Sequence, residues 1–226
     1  MSSKVRIQGL KFPFLIHKRN KGHVDVVGDC KFEAICNIKP YEFMLYLVKY
    51  SKTLITNQTI IDISTELLDV FSSFQFSLQI NFDYMIDRIS ANYLMAPYPL
   101  SCCFLSQYDP DRKVQKGGME VTVPIRISKY AHSEGLLKFT IFDPKTIFFE
   151  DLLDFILTNC HTRIYPVLSL QDKNKIGRLI DSGKEPEEYI EILKQCKMGL
   201  ECKAVLYTKD IFNMYNMEYE EEWKTG

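Results

Sequence analysis

Residues 76–87 restrict the architecture of this chain more than any other stretch. Phe76, Leu78, Ile80, Phe82, Tyr84 and Ile86 alternate with Ser77, Gln79, Asn81, Asp83, Met85 and Asp87. Successive side chains of a strand point to opposite faces, so this alternation predicts a strand with one dry face and one wet one. Strands of parallel sheets are covered on both faces and read as continuous apolar runs. A half-wet strand therefore belongs to an antiparallel sheet whose second layer covers only the apolar side.

The flanking sequence supplies that second layer. Val5, Ile7, Phe12, Phe14 and Ile16 lead into the polar turn Lys18-Arg19-Asn20-Lys21-Gly22. Cys30, Phe32, Ala34 and Cys36 then alternate with Lys31 and Glu33, so the first 36 residues read as a hairpin. Pro40 opens a helical stretch with Phe43, Leu47 and Tyr50 at helical spacing. A second helix after Thr56-Asn57-Gln58 carries Ile60, Ile63, Leu67, Val70, Phe71 and Phe74 on one face. A strand from about Ala91 to Leu105, interrupted by Pro97 and Pro99, suits an edge or a bulge.

Beyond a polar loop from Gln107 to Gly118 the order repeats. Val121, Val123, Ile125 and Ile127 form one alternating strand, and Leu137, Phe139 and Ile141 another. Phe149, Leu152, Leu153 and Ile156 make a helix stripe, and Pro186 suits the first position of a further helix with Tyr189, Leu193 and Cys196 on one face. Cys202 to Phe212 returns as a strand, and the acidic tail, residues 216–226, is expected to fray. The pattern is strand-strand-helix-helix-strand-strand, twice, giving an α+β chain of two units, 1–105 and 106–226.

Composition narrows the function. The 226 residues are 46% hydrophobic and 13% aromatic, which excludes a disordered chain. Lys and Arg total 28 against 29 Asp and Glu, so no basic surplus exists to neutralise nucleic-acid phosphates. No run of 18 apolar residues suggests a membrane span, and Met1 to Leu10 lack a signal-peptide core. Seven cysteines without a Cys-x-x-Cys pair suggest a reducing, cytoplasmic setting. No phosphate-binding loop, dinucleotide fingerprint, zincin helix or hydrolase elbow is present.

Lys4-Val5-Arg6-Ile7-Gln8-Gly9-Leu10-Lys11-Phe12-Pro13, followed by the hairpin, resembles the opening of the type IB GTP cyclohydrolases. The resemblance continues at Leu100-Ser101-Cys102-Cys103, where that family has Leu-Cys-Pro-Cys ahead of His-Asn-Gln-Arg. It continues again at Tyr165-Pro166-Val167-Leu168 with Asp172, where the family has Tyr-Pro-Leu-Leu and an Asp-Glu pair. It implies a tandem tunnelling fold: two β-β-α-α-β-β units with paired helices on one face of antiparallel sheets, assembled with other copies into an oligomeric barrel. It also implies a purine- or pterin-like ligand, and a Cys, His and Glu metal site in which zinc or manganese would activate water.

Matched residue by residue, the family's chemistry is altered. Cys103 keeps the second Cys of the pattern, with Cys102 beside it, and Gln115 and Lys116 match Gln-Arg. Lys113 then stands where the His belongs, and an ammonium is no metal ligand until it loses its proton. Thr158 and Lys173 fall at the two Glu positions, and Asp210-Ile211-Phe212-Asn213-Met214 lacks both His of the family's Ser-Ile-His-Asn-His. The expectation is a diverged relative that keeps a heterocycle pocket near Cys103, Cys102, Lys113, Gln115, Lys116 and Asp172. Standard metal-dependent GTP hydrolysis is not expected, and a metal enters only if its site has been rebuilt. The rival expectations are a non-catalytic partner of an active homologous subunit and an enzyme of new chemistry with Cys103 as nucleophile. Self-association, as a homo-oligomer or with a homologous subunit, is expected on each.

Other residues read more simply. Free Cys behaves as a small core residue, which is the favoured reading for Cys102-Cys103. His161 suits a helix end, and His17, His23 and His132 read as solvated imidazoles. Asp109-Pro110-Asp111 reads as a turn, while Lys113, Lys116 and Gly117-Gly118 offer a weak anion-holding loop.

Overall fold

The computed structural model describes residues 3–19, 21–36, 39–71, 76–86, 89–90, 93–94, 98–109, 114–127, 134–144, 148–160, 183–209 and 216–225. Two long strands open the chain, β1 (Ser3–Lys18) and β2 (Gly22–Cys36), followed by helices α1 (Pro40–Val48) and α2 (Asn57–Phe71). Next come β3 (Phe76–Ile86), the short β4 (Ile89–Ser90) and β5 (Tyr93–Leu94), then β6 (Tyr98–Asp109), β7 (Val114–Arg126) and β8 (Glu134–Phe142). Helices α3 (Phe149–Asn159) and α4 (Pro186–Leu193) precede β9 (Glu201–Lys209) and β10 (Asn216–Lys224).

Eight strands form one antiparallel sheet in the order β1-β2-β3-β6-β7-β8-β9-β10, and β4 pairs with β5 alone. The class is α+β. The chain gathers into two compact units: one of residues 1–82, 102–120 and 142–150, the other of 83–101, 121–141 and 151–226.

In the first unit the alternation of β3 is realised as read. Phe76, Leu78, Ile80 and Phe82 are buried, and Ser77, Gln79 and Asn81 lie half-buried on the other side. Cys30, Phe32 and Ala34 of β2 share the buried face, because the register pairs them with Ile80, Leu78 and Phe76. Phe43 and Leu47 of α1 and Ile60, Ile63 and Leu67 of α2 cover it, with the Phe43 ring 4.2 Å from Phe32. A second aromatic group holds the other end: Phe14 meets Phe82 edge-on at 5.4 Å, and Phe149 meets Phe82 and Phe104 at 5.3 and 4.9 Å. Ring pairs in such offset and edge geometries add to the burial energy.

Helix starts follow local chemistry. Pro40 and Pro186 occupy first turns, where the missing N–H costs nothing. The carboxylates of Glu42 and Glu188 accept the N–H groups of Lys39 and Glu185 at 3.0 and 2.9 Å. Thr56 caps α2, its Oγ1 accepting the Thr59 N–H at 3.1 Å.

The segment before α2 adds to the edge of β1: Leu15 donates its N–H to Thr53 O and accepts that of Ile55, each at 2.9 Å, in a parallel bridge to Leu54. In the second unit Ile127 makes the equivalent parallel bridge to Lys184, just ahead of α4. There Tyr189 of α4 is fully buried and donates its hydroxyl to the carbonyl of Arg126. Cys202, Ala204 and Leu206 of β9 form the same unit's buried face with Leu137 and Phe139.

Three expectations are corrected. Residues 216–224 pair with β9 along their whole length instead of fraying. Lys203 holds Glu220 and Glu222 at 2.5 and 3.0 Å, Lys194 holds Glu221 at 2.7 Å, and Trp223 stacks on Phe139 at 6.0 Å. Three of the four glutamates of the acidic run thus meet cations, and its indole is seated on the core. The polar loop read over 107–118 is strand except at 110–113, which lie outside the described residues. The strand read from about Ala91 to Leu105 is met by β5 at Tyr93–Leu94 and by β6 from Tyr98, with Pro99 exposed on it, but it runs on to Asp109; residues 91–92 and 95–97 lie outside the described residues. Among the described residues no helix is long and apolar enough to cross a membrane.

Candidate functional site

Within the first unit a cavity of about 330 Å³ opens beside the aromatic group. Ile16 and His17 at the end of β1, Ile55 to Gln58 at the start of α2, Phe104 of β6, Met119 of β7, and Pro144, Phe148 and Phe149 line it. Each element arrives for a reason already given. The bridge at Leu15 fixes the segment before α2 against β1, and the Thr56 cap fixes where Asn57 and Gln58 emerge. Glu150 ties the beginning of α3 to the hairpin tip by accepting the Arg19 N–H at 2.8 Å.

The walls are mostly apolar and aromatic, with a polar corner. His17 packs its ring 4.9 Å from Phe148, and 5.6 Å from His23, its partner across the hairpin. Gln58 donates its amide N–H to Asp62 at 2.8 Å. Asn57 Oδ1 is buried and accepts no hydrogen bond within the described structure. Gly117 makes room for it, since a Cβ there would stand 2.7 Å from that oxygen and 2.6 Å from Ile61. A buried carbonyl oxygen without a donor is costly, and this one is sealed from solvent, so a ligand N–H meets it only if the Asn57 amide turns into the cavity it lines.

Cys102, Cys103, Gln115 and Lys116, singled out from sequence, do not line this cavity. Alternation along β6 puts Cys102, Phe104 and Ser106 on the helix-covered face and Cys103 and Leu105 on the other. Cys103, buried, clusters there with Leu105 and Phe142, and the Lys116 ammonium sits 4.7 Å from the Phe142 ring. Gln115 belongs to the first face, where its Oε1 accepts the Ser106 hydroxyl at 3.2 Å. The structure therefore separates the predicted group into Cys102 with Gln115 on one face and Cys103 with Lys116 on the other. Lys113, Asp172, His132 and His161 lie outside the described residues.

Gly117 and Gly118 are buried within β7, which removes the anion-holding loop read from them. His17 is half-buried against Phe148 instead of solvated, because the beginning of α3 closes over the hairpin. The sequence signal for the cavity was the pair of amides directly after a capping Thr, read only as a helix start.

The metal centre that the resemblance implies does not fit the residues present. Cys103 faces apolar Leu105 and Phe142, Thr158 is exposed on α3, and no group of three or more His, Cys, Asp or Glu side chains gathers among the described residues. A smaller cleft of about 160 Å³ beside Lys4, Glu33 and Tyr108 is an ion-paired strut: hydrogen bonds from Lys4 and Arg6 hold the Glu33 carboxyl below its usual range. Neither protein-family models nor curated proteins give a match to this chain.

Proposed function

We propose that this protein is a diverged relative of the type IB GTP cyclohydrolases that binds a flat purine- or pterin-like heterocycle without the family's metal-dependent hydrolysis. The observation that carries the reading is the cavity beside α2. Its size, about 330 Å³, falls at the small end of the roughly 300–1,000 Å³ range of ligand sites. Phe104, Phe148 and Phe149 offer ring surfaces to a heterocycle, and the Asn57 amide, whose oxygen is buried without a partner, offers an acceptor to a ring or exocyclic N–H once it turns into the cavity. The site is thus moved from the cysteine pair expected from sequence to the start of α2.

The tandem arrangement of units 1–105 and 106–226 belongs to the same proposal. It is supported by the two matching parallel bridges, Leu15 to Leu54 and Ile127 to Lys184, each just ahead of a helix. The test is calorimetric titration with guanine nucleotides and with pterins, together with metal analysis of the purified protein. Binding should weaken about three- to tenfold in Asn57→Ala, the worth of a neutral hydrogen bond, and weaken in Phe148→Ala. Equal binding by both variants, or zinc-supported turnover of GTP, overturns the reading.

A second reading, a non-catalytic assembly partner, is favoured by the two edges of the sheet. Strand β1 carries Lys4, Arg6, Lys11 and Lys18 and no carboxylate, whereas β10 carries Glu218, Glu220, Glu221 and Glu222. End strands of a sheet suit pairing between copies, or with a homologous subunit, here with the cations of β1 in excess over Glu33 and Asp29 and the glutamates of β10 in excess over Lys194 and Lys203.

A further inference from the structure

The tip of the opening hairpin brings together two of the chain's four histidines. His17 of β1 and His23 of β2 are direct partners in the strand register, next to the closing pair of Lys18 and Gly22. Residues that face each other across an antiparallel pair hold their Cβ atoms about 4.5–5.5 Å apart, so both imidazoles rise from one face of the sheet. The turn fixes them there. Gly22 takes a φ of +71°, in the left-handed region that favours glycine, and Lys21 donates its N–H to Lys18 O at 3.0 Å. His17 is held a second time by its ring contact of 4.9 Å with Phe148, whereas His23 is exposed and free to turn.

The two rings stand 5.6 Å apart between centroids, edge to face at 75°. A zinc–imidazole bond of about 2.0–2.1 Å puts the metal roughly 3.2 Å from a ring centre, so two such rings at a tetrahedral angle lie roughly 5.2 Å apart. The observed spacing is close to that. Rotation of the exposed His23 about its own side-chain bonds is then enough to aim one nitrogen of each ring at a single ion. Among the described residues neither imidazole makes a hydrogen bond or an ion pair, so no partner is given up in the process.

The donor set selects the ion. Two imidazoles suit Zn2+, Ni2+ or Cu2+, whereas Mg2+ and Ca2+ take oxygen ligands. No third His, Cys, Asp or Glu joins the pair among the described residues, which leaves the remaining positions to water. Lys18, Arg19 and Lys21 set positive charge around the tip. Against them stand Asp25, on the same strand face as His23, and Glu150, which accepts the Arg19 N–H at 2.8 Å. Ionic attraction therefore contributes little, and coordination by nitrogen holds the ion.

We propose that His17 and His23 chelate one late first-row divalent ion at the tip of the β1–β2 hairpin. The site uses none of the positions that the family resemblance gives to a metal. It lies at the rim of the cavity, because His17 also lines that cavity. A bound ion clips the two strands together and fixes the His17 ring in the cavity wall.

The test is titration of the whole, chelator-treated protein with Zn2+ by calorimetry, and with substoichiometric Cu2+ by NMR of the imidazole protons. The expected result is one Zn2+ per chain, a thermal midpoint raised by Zn2+, and broadening by Cu2+ confined to His17 and His23. His17→Gln and His23→Gln should each weaken binding by more than the about ten- to hundredfold that loss of a supporting partner costs. His23 is exposed, so His23→Gln should keep the metal-free urea midpoint, which separates lost binding from lost folding. The glutamates of β10 are the rival site for a cation; binding there would vanish at high salt, whereas the His pair should keep its ion. Binding that survives His23→Gln, even broadening of all four histidines, or no binding at all overturns the proposal.

Discussion

Glu66 of α2 accepts hydrogen bonds from the Lys49 ammonium and the Tyr50 hydroxyl, so one carboxylate ties the end of α1 to α2. Lys49 also donates to Tyr46 Oη at 3.1 Å and lies 4.4 Å from that ring. These partners, Lys49 foremost, take the Glu66 carboxyl from its ordinary 4.5 to about 2. A carboxyl depressed in the folded state stabilises fully above its unfolded value, and that contribution disappears as pH falls from about 4.5 towards 2. Glu66→Gln should therefore flatten this part of the stability profile, with its deficit in urea midpoint largest near neutrality and vanishing at about pH 2. A constant deficit at all pH values would remove the ion pair from the explanation. Gly28 illustrates a different constraint. A Cβ there would stand 2.8 Å from the Asn81 carbonyl and 2.8 Å from Phe14, and the carbonyl is backbone of the neighbouring strand. Gly28→Ala should cost about 1–3 kcal/mol in chemical denaturation, the usual penalty for overpacking.

At the scale of elements, α1 separates two kinds of apolar residue. Phe43 and Leu47 are buried, whereas Tyr41, Met44, Leu45 and Val48 are exposed, Leu45 by 69%. Phe43→Ala should lose about 3–5 kcal/mol, while Leu45→Ala should stay within about 0.5 kcal/mol; equal losses by thermal or urea unfolding would contradict the orientation. This helix also marks how far the sequence could be read. Its start was plain from Pro40, and its buried face from Phe43 and Leu47, because both signals are local. The opening hairpin and the later alternating strands were legible for the same reason: a period of two survives in any sheet that buries one face. The strand at 216–224 was not. Four glutamates in a tail look solvated until Lys203 and Lys194, distant in sequence, are placed beside them. The candidate site was hidden in the same way. His17, Asn57 and Phe148 come from three separate stretches, and only the closure of α3 over the hairpin tip makes one cavity of them. Cys102-Cys103 drew notice by adjacency, yet adjacency on a strand is what separates the two.

For the whole molecule, the sheet ends in a basic strand and an acidic one. The middle of the β1 edge is already occupied by the segment at 53–55, and among the described residues no other segment is bonded to that edge over the stretch from Ser3 to Leu10. Light scattering after gel filtration should show self-association that weakens with salt, since exposed charges are screened over about 8–10 Å at physiological ionic strength. A monomer at low salt, or an assembly indifferent to salt, would discard edge pairing by charge. The composition of the two compact units bears on something else, the order in which the chain can fold during synthesis. The first unit needs residues as late as 142–150, and the second needs residues as early as 83–101. Neither can close on a growing chain until the other has been partly made, so nascent protein released at residue 105 would carry unfinished partners on both sides of the cut. The first unit has all of its residues once synthesis passes residue 150, whereas the second is complete only with the last strand, so the second unit closes last on a growing chain.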